Sequence, residues 1–154
     1  MILLDSNVIV YAINTNSPKN LLAQKYIREN TSDLAVSHQN ILESLRVLTH
    51  PKLPKPLTYD QAMRAISRIA DCVKLISPSP ETIYTTLLLI KKYHLKSDAV
   101  FDAYLASTAL TNSITTIATD NTKDFSTYKE ISTINPFNCP FVTRRQKAGS
   151  KNRN

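Results

Sequence analysis

The chain has 154 residues, of which 42% are hydrophobic, which suits one domain with its own core and excludes a disordered protein. Its single glycine, Gly149, excludes both common glycine-rich phosphate loops, so we expect no nucleotide cofactor. The formal net charge of +7 comes mostly from residues 143–154, which hold five of the 19 basic residues and no acidic residue. We therefore predict a domain at residues 1–142 and a basic, flexible tail at residues 143–154.

Strands and helices alternate along the predicted domain. Short apolar or β-branched runs predict five strands, at residues 2–4, 34–37, 73–76, 113–118 and 131–134. Helical spacing behind N-cap residues or prolines predicts helices at about residues 18–29, 39–49, 58–71, 80–93 and 97–111. Ser17 and Ser97 are the predicted N-caps of the first and last of these helices, and Thr58 and Gln61 predict a capping box at the third. This alternation predicts an α/β fold with a central parallel sheet of four to five strands flanked by helices.

Four acidic residues, Asp5, Glu43, Asp102 and Asp120, each interrupt or close an apolar segment. Asp5 and Asp120 directly follow predicted strands, at the edge where open α/β sheets bind their ligands. Glu43 and Asp102 lie in the first turns of helices whose starts face the same edge. Any one of the four could be a solvated surface acid. Together they predict a site for a hard divalent cation, Mg²⁺ or Mn²⁺.

Polar neighbours of these acids are candidates for supporting roles. Ser6, Asn7 and Thr119 have short side chains that could orient a ligand or a bound water molecule, or could simply be turn and N-cap residues. Asp98 lies four residues before Asp102 on the same helix face. The dipole at a helix start is already a sufficient reason for Asp98, so Asp102 is the better candidate.

The cysteines and the N-terminus give no sign of a zinc site, a secreted protein or a membrane protein. Cys72 and Cys139 match no metal-binding spacing and are expected to be reduced thiols. The first residues do not form a signal peptide, and the longest aliphatic stretch, residues 87–90, cannot span a membrane. We therefore expect a cytoplasmic protein.

Four motifs in this order resemble the PIN domain, and within it the VapC-type ribonuclease toxins of toxin–antitoxin modules. They are D-S-N after the first strand, N-I-L-E-S-L-R, F-D-A-Y-L-A-S and A-T-D-N-T-K-D-F. The likeness covers about residues 1–141. It implies a three-layer α/β/α fold and a metal-dependent endoribonuclease that cuts structured RNA, commonly tRNA. It also implies a cognate antitoxin and a homodimer, for which the apolar helix at residues 80–93 is a candidate face if it is not simply core.

The resemblance also assigns roles to the acids. By motif match, Asp5, Glu43, Asp102 and Asp120 would be the catalytic metal ligands. In many relatives the last acid stands two residues before D-F, whereas the loop T-D-N-T-K-D-F is longer here, so Asp124 is an alternative to Asp120.

Contact with RNA would fall to basic side chains at the rim of this site. Arg46, three residues after Glu43 on the same helix face, could bind a substrate phosphate or could pair with Glu43. The chain has few aromatic residues and no tryptophan, which favours recognition of the RNA backbone and shape over base stacking.

Two other classes of function stay open on the sequence. A Mg²⁺-dependent phosphotransfer enzyme with a doubly wound sheet would also place an acid at Asp5, but Asn7 stands where its second acid is expected. A non-catalytic RNA-binding or protein-binding module could retain the acids for folding or for a partner. Substitution of Asp5 by asparagine would discriminate, because an enzyme would lose cleavage while a binding module would keep its function.

Overall fold

Five parallel strands form one sheet in the order β3-β2-β1-β4-β5 in the computed structural model, which describes residues 1–138. The strands are β1 (Ile2–Leu4), β2 (Leu34–Ser37), β3 (Lys74–Ile76), β4 (Thr116–Ala118) and β5 (Ser132–Ile134). In the central strand, Leu3 stands opposite Ala35 of β2 and Ile117 of β4. The predicted parallel sheet is confirmed, and it has five strands.

Seven α-helices accompany the sheet in the described part of the chain. They are α1 (Ser6–Ile13), α2 (Asn20–Asn30), α3 (His38–Leu48), α4 (Tyr59–Ala70), α5 (Thr82–Tyr93), α6 (Ala99–Thr111) and α7 (Thr122–Phe125). Capping boxes begin α3, with Ser37 and Asn40, and α4, with Thr58 and Gln61. None of the helices within residues 1–138 is long and apolar enough to cross a membrane.

The structure differs from the predicted elements mainly near the N-terminus. Helix α1 was not predicted, because its run V-I-V-Y-A-I has the β-branched composition of a strand, yet Val8 and Ile9 are fully buried as helix residues. The prediction that Ser17 caps the next helix was wrong. Lys19 precedes α2, and the Ser17 hydroxyl accepts the Lys19 N–H in the turn before it.

Two further boundaries differ. The predicted strand at residues 113–118 is shorter, because Ser113 has a positive φ of 59° and ends the turn after α6. Ser97 also has a positive φ, 53°, and Asp98 rather than Ser97 is the N-cap of α6. The predicted basic tail and Cys139 lie outside the described residues.

Side chains alternate between the two faces of the sheet, and each face packs on helices. Leu3 belongs to a core cluster with residues of α5, α6 and α7, whereas Leu4 belongs to a cluster with residues of α1 and α2. A third cluster joins α1, α3 and α4 around Leu48 and Ile66. The fold is therefore the predicted three-layer α/β/α arrangement.

The strand order changes direction beside β1. The chain passes from β1 to β2 and β3 on one side, then returns to β4 and β5 on the other. Such a switch point opens a crevice outside the carboxyl ends of the strands. Asp5 and Thr119 follow the two strands at this point, and the Asp5 N–H donates to the Ala118 carbonyl at 2.9 Å.

Candidate functional site

Asp5 is a buried carboxylate held by neutral hydrogen-bond donors. Its Oδ1 accepts the Ser6 N–H at 2.7 Å, and its Oδ2 accepts the Asn7 side-chain amide and the Thr119 hydroxyl, both at 2.7 Å. Burial raises the pKa of Asp5, the hydrogen bonds from Thr119 and Ser6 work against that shift, and the charge of Glu43 adds to it. The carboxylate is oriented by these donors, but they bring no positive charge to it.

Glu43 projects from the second turn of α3 toward the start of α6. The Gln39 side-chain amide donates to Glu43 Oε1 at 2.7 Å and to the Phe101 carbonyl at 3.1 Å, so it joins the two helices. Gln39 Oε1 is buried and has no hydrogen-bond partner within residues 1–138. Sequence reasoning missed Gln39, although its position four residues before Glu43 on one helix face was a usable signal.

Asp102 lies in the first turn of α6, half-buried among other acids. Burial, and then the charges of Asp124, Asp5, Glu43 and Asp98, raise the pKa of Asp102 to about 6. The charge of Glu43 raises the pKa of both Asp5 and Asp102, so these three acids are close enough to interact electrostatically. We call Asp5, Glu43 and Asp102 the acid centre.

Asp120 stands at the same sheet edge but is bound differently. Its Oδ2 accepts Lys19 Nζ at 2.5 Å and the Tyr11 hydroxyl at 3.0 Å, and its Oδ1 accepts the Asn135 side-chain amide at 3.3 Å. Burial works to raise the pKa of Asp120, but the hydrogen bonds from Lys19 and Tyr11 outweigh it and the pKa is lowered. We call this arrangement the Lys19 pair.

The alternative fourth acid, Asp124, is exposed in α7, where it accepts the Asn121 side-chain amide at 2.6 Å. Its charge is the largest electrostatic contribution to the raised pKa of Asp102, whereas Asp120 is not among the causes of that shift. Asp98 is also exposed and acts on Asp102 in the same sense. Asp124 is therefore electrostatically closer to the acid centre than Asp120 is.

Three of the remaining predicted residues hydrogen-bond to Asp5 or to each other, and the fourth, Arg46, stands apart from them. Ser6, Asn7 and Thr119 all contact Asp5, and Asn7 also donates to the Thr119 hydroxyl at 2.9 Å. Arg46 is exposed at the end of α3 and forms no ion pair with Glu43 among the described residues. A direct Arg46–Glu43 pair is therefore not part of this site.

The donor chemistry of the acid centre fits a hard divalent cation. Carboxylate oxygens are the ligands that Mg²⁺ and Mn²⁺ prefer, and the pKa of Asp102 is raised by burial and by the charges of four neighbouring acids. Gln39 Oε1 adds a buried acceptor that a water ligand of the cation could fill. Within residues 1–138, however, no three acidic, histidine or cysteine side chains are close enough to enclose an ion. A cation held here would keep several water ligands, as Mg²⁺ usually does.

Several solved structures are similar to this chain in fold. FitAcB from Neisseria gonorrhoeae is 22% identical and matches 90% of this chain and 100% of its own, with a TM-score of 0.65. VapC20 from Mycobacterium tuberculosis, a sarcin-ricin loop cleaving toxin, is 12% identical over 85% of this chain and 98% of its own, with a TM-score of 0.65. VapBC2 from Rickettsia felis, bound to a DNA fragment from its promoter, is 20% identical over 87% and 98%, with a TM-score of 0.63.

These likenesses, all below 25% identity, show the fold. The family model of the PIN domain matches residues 2–131. The chain belongs to the PIN domain family. None of the curated protein sequences compared with it matches significantly.

Proposed function

We propose that this chain is a VapC-type toxin, a metal-dependent endoribonuclease that hydrolyses phosphodiester bonds of structured RNA such as tRNA. The observation that carries the proposal is Asp102, a half-buried acid whose pKa is raised to about 6 by burial and by its acidic neighbours at the switch point of the sheet. Keeping that charge uncompensated destabilises the protein unless a cation binds, so the arrangement is better explained by function than by folding.

Asp5, Glu43 and Asp102 are the residues that would hold the cation. A bound Mg²⁺ or Mn²⁺ supplies activation of the attacking water and neutralises charge that develops on the phosphate. The chain contributes orientation: Thr119 and Asn7 fix the Asp5 carboxylate, and Gln39 fixes Glu43. Of the two candidates for a fourth acid, Asp124 has the stronger electrostatic effect on Asp102.

RNA as the substrate is supported by the fold and by the acid centre. One fold neighbour, VapC20, is described as a toxin that cleaves the sarcin-ricin loop. Arg46 is a candidate for a phosphate contact, since it is exposed one turn from Glu43 and is free of an ion pair among residues 1–138. Phosphate contacts of this kind give affinity without sequence preference.

We also propose that a cognate antitoxin silences the chain. Fold neighbours include toxin–antitoxin complexes from Klebsiella pneumoniae and from nontypeable Haemophilus influenzae, the second a VapBC-1 complex. A basic side chain of the antitoxin placed at the acid centre would neutralise the charge that otherwise attracts the cation.

A homodimer through the outer face of α5 is the second partner we propose. Ile83, Tyr84, Leu87 and Leu88 are all more than half exposed on this face. Antiparallel packing of two such helices would also bring Glu81, at the start of one, near Lys91, at the end of the other. We expect Leu88→Lys to give a monomer by light scattering. Leu21→Lys, at an even more exposed leucine of α2, should leave the dimer intact.

The nuclease proposal is tested with the purified, antitoxin-free chain and total RNA, with and without Mg²⁺ or Mn²⁺, followed by mapping of the new 5′ ends. Asp5→Asn should reduce cleavage about a hundredfold or more without unfolding the protein, because a metal ligand is lost. Asp33→Asn, which changes an exposed acid just before β2, at the opposite end of that strand from the acid centre, is the control and should cleave like the wild type. Cleavage that survives Asp5→Asn, or that needs no divalent ion, would refute the proposal.

A further inference from the structure

Asp120 is compensated by the protein itself. One carboxylate oxygen accepts both Lys19 Nζ and the Tyr11 hydroxyl, and the other accepts the Asn135 amide. A divalent cation at this carboxylate would have to displace Lys19 or stand beside its ammonium group, and like charges so close repel strongly. Asp120 is therefore a poor ligand for the cation that the acid centre attracts.

Lys19 is the more informative member of the pair, because several elements hold its ammonium group in one place. Nζ lies 5.4 Å from the Tyr11 ring centroid and 5.1 Å from that of Phe137. The two rings contact each other edge to face at 5.6 Å. Tyr11 belongs to α1, Lys19 precedes α2, Asp120 follows β4 and Phe137 follows β5, so four separate segments fix this one cation.

The Lys19 pair is connected to the acid centre by a short path of hydrogen bonds. The Asp120 N–H donates to Asn7 Oδ1 at 3.2 Å, and Asn7 Nδ2 donates to Asp5 Oδ2 at 2.7 Å. The charge of Asp5 also contributes to the raised pKa of Tyr11, after burial and the effects of Asp120. Lys19 therefore stands at the rim of the acid centre, with 36% of its side chain exposed.

We propose that Lys19 is a contact for a backbone phosphate of the RNA, and that Asp120 is a positioning residue that holds Lys19 in place rather than a ligand of the metal. The proposal rests on the nuclease function proposed above. An ammonium group has three donors, of which Asp120 takes one, so donors remain for a phosphate oxygen on the exposed side. The acids that attract a metal repel the negatively charged RNA, and a cation at the rim reduces this repulsion.

Lys92 and Glu130 form a second lysine–carboxylate pair that resembles the Lys19 pair and can serve as its control. Lys92 Nζ lies 2.6 Å from Glu130 Oε1, the Tyr93 hydroxyl donates to Glu130 Oε2 at 2.8 Å, and Lys92 lies 5.1 Å from the Tyr93 ring centroid. This second site has the same kinds of group, a lysine, a carboxylate, a tyrosine hydroxyl and an aromatic face, but none of them is among the main causes of the pKa shifts of Asp5 and Asp102. Lys92→Met therefore controls for the loss of such a pair away from the acid centre.

The test separates metal binding from RNA binding. The variants are Asp120→Asn, Lys19→Met, Lys19→Arg and the double variant of Asp120→Asn with Lys19→Met. Calorimetric titration with Mn²⁺ alone should give Asp120→Asn and Lys19→Arg an affinity within about twofold of the wild type, whereas Asp102→Asn should abolish binding. Affinity for unfractionated transfer RNA, measured without divalent ions so that it stays intact, should fall about tenfold for Lys19→Met, the loss expected for one charge-assisted hydrogen bond.

Four further comparisons test the roles of Lys19 and Asp120. Lys19→Met should raise KM with kcat little changed, and should reduce the salt dependence of RNA binding by about one phosphate contact. Lys19→Arg should recover most of the affinity, and the double variant should be no worse than Lys19→Met, because Asp120 acts through Lys19. Lys92→Met should change none of these quantities.

Two outcomes would overturn the proposal. If Asp120→Asn weakens Mn²⁺ binding as much as Asp102→Asn does, Asp120 is a metal ligand. If Lys19→Met and Lys19→Arg both fold and bind transfer RNA like the wild type, Lys19 only ties segments together. Failure of the nuclease function has a different signature, in which the wild type neither binds Mn²⁺ nor cleaves RNA, while its affinity for transfer RNA still reports on Lys19.

Discussion

The acid centre and the Lys19 pair lie at the same edge of the sheet and hold their carboxylates in opposite electrostatic states. In the acid centre, burial and neighbouring acids raise the pKa of Asp5 and Asp102. In the Lys19 pair, Lys19 and Tyr11 lower the pKa of Asp120 despite burial. The residue type is the same in both places, so the difference comes from the partners that the fold supplies.

This difference indicates which of the acids are good candidates to bind a metal ion. A carboxylate that has a protein cation and two hydrogen-bond donors is already satisfied, and adding a metal there gains little. The carboxylates of the acid centre are oriented by neutral donors and repel one another, so a divalent cation gains the full attraction of the cluster. An acidic residue near a strand end is therefore a good candidate ligand only when its charge is uncompensated.

The largest effect we expect on Mn²⁺ binding is that of Asp102, and this residue also makes the stability of the protein depend on pH. The pKa of this acid is about 6 in the folded protein and about 4 in an unfolded chain. Between these values the folded state binds more protons than the unfolded state, so stability falls as pH rises from about 4 to about 6. Because the side chain is only half-buried, solvent screening reduces the full linkage of about 3 kcal/mol to about 1 kcal/mol.

Asp102→Asn should therefore make the metal-free protein more stable than the wild type above about pH 6, by a few degrees in Tm, and leave the two equally stable near pH 4. Mn²⁺ should raise the Tm of the wild type at neutral pH and leave that of the variant unchanged. Thermal melts across this pH range measure both effects. If the two proteins differ by a constant amount at every pH, the raised pKa of Asp102 is wrong and the contrast with Asp120 is lost.

Sequence patterns predicted the frame of this protein well, for physical reasons. Residues 2–4 and 34–37 are short apolar runs, each followed by polar residues, and both form strands with the predicted bounds. The capping box at Thr58 begins its helix as predicted. Parallel strands then place their carboxyl ends together, so the position of Asp5 and Asp120 at one edge followed from chain order alone.

Other features could not be predicted, because they depend on contacts between distant residues. Helix α1 is composed like a strand, and packing on three neighbouring elements overrides that local preference. Lys19 and Asp120 are 101 residues apart, and no pattern in either segment indicates that they meet. The motif that made Asp120 a candidate ligand therefore could not show that Lys19 neutralises its charge.

The smallest effect we expect on Mn²⁺ binding tests the hydrogen-bond link between the acid centre and the Lys19 pair. Thr119 is fully buried, donates to Asp5 Oδ2 at 2.7 Å and accepts from Asn7 at 2.9 Å and from the Asn121 N–H at 3.0 Å. Thr119→Val keeps the shape of the side chain but removes its hydroxyl. We expect a loss of about 1–2 kcal/mol in the free energy of unfolding and of about tenfold in Mn²⁺ affinity, since Asp5 loses a donor that orients it.

Thr86→Val is the matched control for this change, because the Thr86 hydroxyl is also buried but donates within α5, to the Thr82 carbonyl at 2.7 Å. It should reduce stability by about 1 kcal/mol and leave Mn²⁺ affinity unchanged. Denaturant unfolding and Mn²⁺ titration separate the two outcomes. Equal Mn²⁺ affinity in both variants would mean that the hydrogen bonds to Asp5 serve folding alone, and that the acid centre gains nothing from its connection to the Lys19 pair.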